Sequence, residues 1–271
     1  MIIGFTKMHG IGNDFIVIDN FNGRINLNKE QVIALCDRHK GIGADGVILV
    51  ETYKESSEKV DCFMNYINSD GSLAKMCGNG IRCTARFLKD EYLKDKSVFK
   101  IQTRDGLKEI KWEGGDIFSV NMGKAEFSSE DYNNAEKEIE ELSLDFVSVG
   151  NPFAVAFVKD IEKYNLAYLG PIIENHKSFP NKINFELVEK IGENELKVKV
   201  WERGCGLVLA CGTGACSAFA LLQKEKSRKE IKREKVIIHL PGGDLHLSEN
   251  KEGEIIMSGP AVSSFNGMVE L

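Results

Sequence analysis

Met76-Cys77-Gly78-Asn79-Gly80-Ile81-Arg82-Cys83 and Ala210-Cys211-Gly212-Thr213-Gly214-Ala215-Cys216 are two versions of one phrase, 134 residues apart from Cys77 to Cys211. After Gly80 the apolar residues Ile81, Ala85, Leu88 and Tyr92 recur at helical spacing, which predicts a helix over 80–93. The second copy predicts its own helix over 214–223. Each cysteine therefore stands at a helix start. There, amides without intrahelical partners and the positive end of the helix dipole favour an anion.

Working outward, three more echoes keep the same order. Gly12-Asn13-Asp14-Phe15-Ile16-Val17 returns as Gly150-Asn151-Pro152-Phe153-Ala154-Val155, at an offset of 138. Asp105-Gly106-Leu107 returns as Gly242-Gly243-Asp244 at 137, and Val120-Asn121-Met122-Gly123 as Ile256-Met257-Ser258-Gly259 at 136. Four ordered matches at nearly one offset imply a duplicated fold, with two similar domains of about 136 residues. The expected domains are residues 1–121 with 262–271, and residues 122–261, with both Cys-Gly-x-Gly elements facing one cleft.

Local signals fill in the rest. A helix is expected over 29–39 behind Asn28 as N-cap, then strands over 46–53 and 62–67, the second ending at the turn Asn68-Ser69-Asp70-Gly71. Strands follow over 98–103, 107–112 and 117–122, and the second half repeats them over 196–201, 236–240 and 255–258. The class is α/β (α+β), each domain a strand-rich sheet wrapped around one central helix.

Bulk properties narrow the function. A net charge of −6 leaves no extended basic surface, so nucleic acid and anionic membrane are not expected partners. The uncharged run 206–222 is short for a membrane span and contains three glycines, so it reads as a buried helix with a glycine-rich lead-in. Lys7 and His9 interrupt the first apolar residues, which argues against a signal peptide. Seven cysteines, an odd number, then suggest free thiols in a reducing cytoplasm. Zinc is not expected, because four or five residues separate neighbouring cysteines of the two phrases where zinc knuckles have two. Cys83 and Cys216 fall inside the predicted helices and are expected in the core.

Gly41-Ile42-Gly43-Ala44-Asp45-Gly46 fits the G-x-G-x-x-G dinucleotide fingerprint, but that fingerprint follows a strand and opens a helix. Here a predicted helix comes before and a strand after. The glycines are read instead as a tight turn into that strand.

Two thiols at duplicated helix starts suit stereoinversion at an acidic carbon. One takes the proton as thiolate while the other delivers a proton to the opposite face, and the roles exchange for the return. The adjacent amides of Gly78, Asn79, Gly212 and Thr213 suit an amino acid's α-carboxylate, which also spreads the charge that develops when the α-proton leaves.

These phrases, together with Lys7-Met8-His9-Gly10-Ile11-Gly12-Asn13-Asp14-Phe15, Asn68-Ser69-Asp70-Gly71-Ser72, Gly150-Asn151-Pro152, Trp201-Glu202-Arg203-Gly204 and Leu240-Pro241-Gly242-Gly243, resemble the diaminopimelate epimerase family nearly end to end. The resemblance implies two pseudo-symmetric domains, no cofactor (pyridoxal phosphate included), no metal, and conversion of LL-diaminopimelate to the meso form. It implies Cys77 and Cys211 as the acid/base pair, with Gly78, Asn79, Gly212 and Thr213 on the reacting carboxylate. Asn13, Asn68, Asn151, Asn184, Glu202 and Arg203 match substrate contacts, Arg203 toward the distal carboxylate. The partner is thus a small amino-acid substrate, and a homodimer is common in the family.

Two positions depart from the pattern. The family usually reads Gly-Asn-Pro-His where this chain has Gly150-Asn151-Pro152-Phe153, and usually carries Gly-Glu-Thr where it has Gly206-Leu207-Val208. A ring at Phe153 suggests an alternative, racemisation of another amino acid such as histidine on the same scaffold; lanthionine is a further diaminopimelate analogue.

Overall fold

β1 (Ile2–Gly10) and β2 (Asn13–Asn20) form a hairpin that turns through Ile11 and Gly12 alone, with Gly10 opposite Asn13. Both turn residues have positive φ, 47° and 87°, the twist that two-residue hairpins require. A β-branched residue in that region is strained, and the strain at Ile11 falls two residues before Asn13. The structure, a computed structural model, describes residues 1–53, 59–228 and 235–271. It divides into two units, Met1–Val120 with Gly259–Leu271, and Asn121–Ser258.

In the first unit the chain continues through α1 (Lys29–Cys36), β3 (Gly46–Glu51), β4 (Cys62–Asn68), α2 (Gly78–Glu91), β5 (Val98–Thr103), β6 (Gly106–Gly114) and β7 (Ile117–Asn121). The second unit opens with the short strands β8 (Glu138–Ile139) and β9 (Leu142–Ser143), then β10 (Asp145–Ser148) and β11 (Pro152–Val158). It continues through α3 (Leu166–Glu174), β12 (Asn184–Gly192), β13 (Glu195–Glu202), β14 (Gly206–Val208), α4 (Gly212–Arg228), β15 (Val236–Leu240), β16 (Gly243–Glu249) and β17 (Ile255–Pro260). The chain then returns to the first unit as β18 (Val262–Glu270), paired with β1.

The two units repeat one topology. From β1 to β7 successive neighbours pair antiparallel, parallel, antiparallel, parallel, antiparallel and antiparallel. β10, β11, β12, β13, β15, β16 and β17 pair in that same sequence. Parallel neighbours need a crossover, and each unit fills its two crossovers with helices: α1 and α2 in the first, α3 and α4 in the second. The registers repeat as well. Phe15 lies opposite Gly46 as Phe153 lies opposite Asn184, and Thr103 opposite Gly106 as Leu240 opposite Gly243. One echo shifts by a residue. Val120 corresponds to Met257, not Ile256, because Ile110 faces Val120 as Leu247 faces Met257 and both members face the core.

The central helices are buried because sheet strands surround them. α2 packs against β1 to β6 and β18, and α4 against β10, β11, β13, β15 and β16. Cys83 and Cys216 are fully buried, as expected, and burial pushes the Cys83 thiol up to about 12. Other expectations need correction. α1 ends at Cys36, not at 39, because Ile42 and Gly43 amides return to the Leu35 carbonyl and Ala44 to Cys36. The run 206–222 contains a short strand, β14, ahead of its helix; among the described residues no helix is long and apolar enough to cross a membrane. α3 has no counterpart among the expected elements, since Gly170 and Pro171 break its sequence signal. Gly170 is required there, because a Cβ would stand 2.2 Å from Trp201 Cδ2.

Candidate active site

Cys77 is the N-cap of α2, and its Sγ accepts the Gly80 amide at 3.4 Å. Cys211 holds the matching place before α4, accepting the Gly214 amide at 3.3 Å while its own carbonyl accepts from Ala215. A cap of this kind places an N–H on the sulfur and so supports a thiolate. The next two amides of each helix, Gly78 and Asn79 or Gly212 and Thr213, have no intrahelical acceptor by construction.

The surroundings of the two thiols differ. Cys77 is partly exposed, and its thiol donates to Asn13 Oδ1 at 3.6 Å. That oxygen also accepts from Asn79 Nδ2 at 3.2 Å, and Asn79 Oδ1 in turn accepts from Arg82 at 2.7 Å. Arg82 is fully buried within α2, its charge spread over Asn79 and the carbonyls of Gly78 and Pro260.

Cys211 is 3% exposed and hydrogen-bonds the Glu202 side chain and the Thr213 hydroxyl. Burial first, then the Glu202 charge and its hydrogen bond, push this thiol well above its usual range, against the pull of Thr213 and the Gly214 amide. Each sulfur thus has a donor for its ionised state and an acceptor for its protonated state. A group that must both take and give a proton needs both.

Asn151 stands immediately before β11 where Asn13 opens β2, but its Oδ1 is buried without a hydrogen-bond partner. In the first unit that acceptor is satisfied by Asn79, and α4 carries Thr213 there instead, with no amide to give. Asn184 is buried. Its Nδ2 donates to the Pro152 carbonyl at 2.8 Å and its Oδ1 accepts the Arg203 amide at 2.9 Å, so it ties the start of β11 to the loop after β13. Arg203 is exposed, held by the Asn181 and Lys182 carbonyls and by no carboxylate among the described residues. Its loop is fixed by buried Glu174, which accepts from Trp201 Nε1, the Gly204 amide and Lys182. Although burial works against it, those three bonds hold the Glu174 carboxyl below its usual range. Asn68 closes the turn after β4, donating to Ser72 Oγ at 3.0 Å.

Residues outside the sequence-derived set also belong here. Asp45 accepts Asn13 Nδ2, and Arg82 orients Asn79; both stood in quoted motifs without a role. Glu186 is fully buried on β12, both carboxyl oxygens lack a partner, and burial raises its pKa well above normal. A Cβ on Gly214 would meet Glu186 Oε2 at 2.7 Å and Phe153 Cε1 at 3.3 Å. A lone acid in the apolar run Phe185-Glu186-Leu187-Val188 was the available signal. Phe153 itself has no exposed surface to offer a substrate, and Leu207 points outward, 58% exposed.

The glycine loop 41–46 does not present its amides to a phosphate. Those of Ile42, Gly43 and Ala44 cap the C-terminus of α1, the negative end of the dipole, and that of Asp45 donates to the Asp14 carbonyl. Among the described residues no cluster of three or more His, Cys, Asp or Glu could hold a metal.

Fold and site together define a two-unit α+β protein with a cysteine capping the central helix of each unit. A family model described as diaminopimelate epimerase matches residues 5–128 and 146–263. The chain is 40% identical over 286 residues to a diaminopimelate epimerase of Halothermothrix orenii, covering 99% of this chain and 98% of that one. It is 38% identical over 283 residues to one of Acetivibrio thermocellus, covering 98% of both. Among solved structures, a phenazine biosynthesis protein of the PhzF family from Bacillus anthracis shares the fold at TM-score 0.71 and 18% identity, covering 100% of both chains. A hydroxyproline epimerase from Agrobacterium vitis does so at TM-score 0.70 and 14% identity, covering 99% of this chain and 91% of that one. This chain belongs to the diaminopimelate epimerase family.

Proposed function

We propose that this protein interconverts LL- and meso-diaminopimelate without a cofactor, using Cys77 and Cys211 on opposite faces of one α-carbon. The observation that carries the reading is the duplicated cap: two thiols, each on the third amide of a central helix, each with a partner for either protonation state.

In one direction the Cys77 thiolate takes the α-proton and becomes a thiol. The bond's electron pair passes into the α-carboxylate, which Gly78, Asn79, Gly212 and Thr213 amides hold. Cys211 gives its proton to the other face and is left as thiolate. The return uses the same pair with roles exchanged, so the two titrate as one coupled system. The free Asn151 Oδ1 suits the substrate ammonium, and the uncommitted Arg203 guanidinium suits the distal carboxylate. Asn13, Asn68, Asn184 and Glu202 complete the binding set, Asn184 and Glu202 chiefly by orienting Arg203 and Cys211. The similarity to diaminopimelate epimerases favours diaminopimelate over histidine, as does the burial of Phe153. The reading places a free-thiol homodimer in the cytoplasm.

The test is α-proton exchange in D₂O without pyridoxal phosphate over LL- and meso-diaminopimelate, lanthionine and L-histidine. Exchange is expected to be fastest with diaminopimelate. Exchange of histidine alone would overturn the substrate.

A further inference from the structure

The glycine loop before β3 ends in Asp45, whose carboxylate has no part in the chemistry above. Asn13 Nδ2 donates to Asp45 Oδ2 at 2.7 Å, and the Asp14 amide donates to the same oxygen at 3.1 Å. Arg38 holds the other oxygen at 2.7 Å. The Asp45 backbone is also fixed, its amide on the Asp14 carbonyl and its carbonyl accepting from Ser69, next to Asn68.

A side-chain amide has a donor end and an acceptor end, and its neighbours decide which faces which. Around Asn13 the neighbours agree. An ionised carboxylate only accepts, so Asp45 takes the Nδ2 end. Asn79 has its own oxygen on Arg82, so it presents Nδ2 and requires the Oδ1 end of Asn13. Asn13 Oδ1 is thereby aimed at the Cys77 thiol.

We propose that Asp45 is a positioning residue for Cys77, locking Asn13 so that its carbonyl oxygen, and not its NH₂, faces the sulfur. Were Asn13 to turn over, its NH₂ would meet Sγ and also the Asn79 NH₂. The thiol would lose its acceptor and the thiolate would gain a second donor beside the Gly80 amide. A thiolate stabilised in that way is a weaker base toward carbon. The other charged or titratable groups nearby are Asp14, with Lys7 and Arg38 bound to it, His9 in the hairpin, and Arg82 behind Asn79. None of them bonds the Asn13 side chain; Asp45 alone among charged groups of the described residues does so.

The inference rests on the proposed function only for its effect on turnover, and its main test uses the resting protein. Iodoacetamide alkylation of Cys77 is followed against pH by peptide mass spectrometry in the full chain, wild type beside Asp45→Ala and Asp45→Asn. Asp45→Ala is expected to move the Cys77 profile down by about half a pH unit or more. It should also lower kcat for diaminopimelate by about tenfold with KM within about twofold. Asp45→Asn keeps an acceptor for Asn13 Nδ2 and should restore both. A folded Asp45→Ala protein with an unchanged profile would overturn the proposal.

Should Asp45→Ala not fold, Asn13→Asp keeps Asp45 and places an acceptor on the sulfur whichever way it turns. Its Cys77 profile is expected to rise, and a fall would overturn the proposal. Alkylation shifts as expected in a protein inert toward every diaminopimelate isomer would support this inference and refute the activity.

Discussion

At the start of α2, Cys77 is partly exposed and faces the neutral oxygen of Asn13; at the start of α4, Cys211 is buried and faces the carboxylate of Glu202. The backbone is the same in both, with the third helical amide on sulfur at 3.4 and 3.3 Å. Duplication therefore supplied the geometry, and side chains then made the two copies unequal. Burial and the Glu202 charge favour the protonated state at Cys211. Under the proposed two-thiol mechanism, that difference makes Cys211 the proton donor and leaves Cys77 as the base in the first direction. The second copy is also the one with orphaned polar atoms, at Asn151 and Glu186, where the first has a closed network.

Equalising the copies should do the most damage where a thiol is removed. Cys77→Ala and Cys211→Ala are each expected to cost on the order of 10³-fold or more in epimerisation, with far-UV circular dichroism unchanged. Wild-type turnover by either variant would end the two-thiol account.

Next in size is Arg203, whose guanidinium meets no carboxylate among the described residues. Arg203→Ala should raise KM for diaminopimelate by about 10–100-fold, since one hydrogen bond to a charged group contributes roughly 1.5–3 kcal/mol. An unchanged KM would remove Arg203 from the distal carboxylate.

Glu202→Gln sharpens the comparison itself. It deletes the charge that raises the Cys211 thiol and keeps an acceptor, so the alkylation profile of Cys211 should move to lower pH by about one unit. A shift upward, or none, would mean that burial alone separates the two thiols.

The smallest effect is on stability. Glu186 has no partner and a raised pKa in the fold, so it is buried as the neutral acid. Below its unfolded pKa, both states are protonated and the group is neutral in cost. Above it the unfolded chain ionises and the folded one does not, so stability falls as pH rises, by at most about 1.4 kcal/mol per unit up to the folded pKa. Glu186→Leu should therefore melt higher than wild type at pH 8 and lose that advantage toward pH 4. A gap that stays constant with pH would show the carboxyl to be ionised in the fold.

Much of this was legible in the chain because duplication writes each signal twice. The Cys-Gly-x-Gly phrases and hairpin echoes located both central helices and both hairpin asparagines. α3 was not legible, since Gly170 and Pro171 erase its periodicity and its reason for existing is the Trp201 ring. Asp45 and Glu186 were hidden for a related reason. One looked like a turn residue and the other like a stray charge in a strand, and only tertiary packing brings Asp45 onto Asn13 and Glu186 beneath Gly214. The fate of Phe153 was likewise set by packing, as its ring faces the core.

The most direct test is the early time course of LL-diaminopimelate epimerised in D₂O, with deuterium at the reacting carbon read separately in substrate and product. Two monoprotic thiols on opposite faces predict deuterium in the newly formed meso product while the remaining LL substrate stays protiated. Deuterium entering both pools equally from the outset, or product that keeps its original proton, would contradict the account.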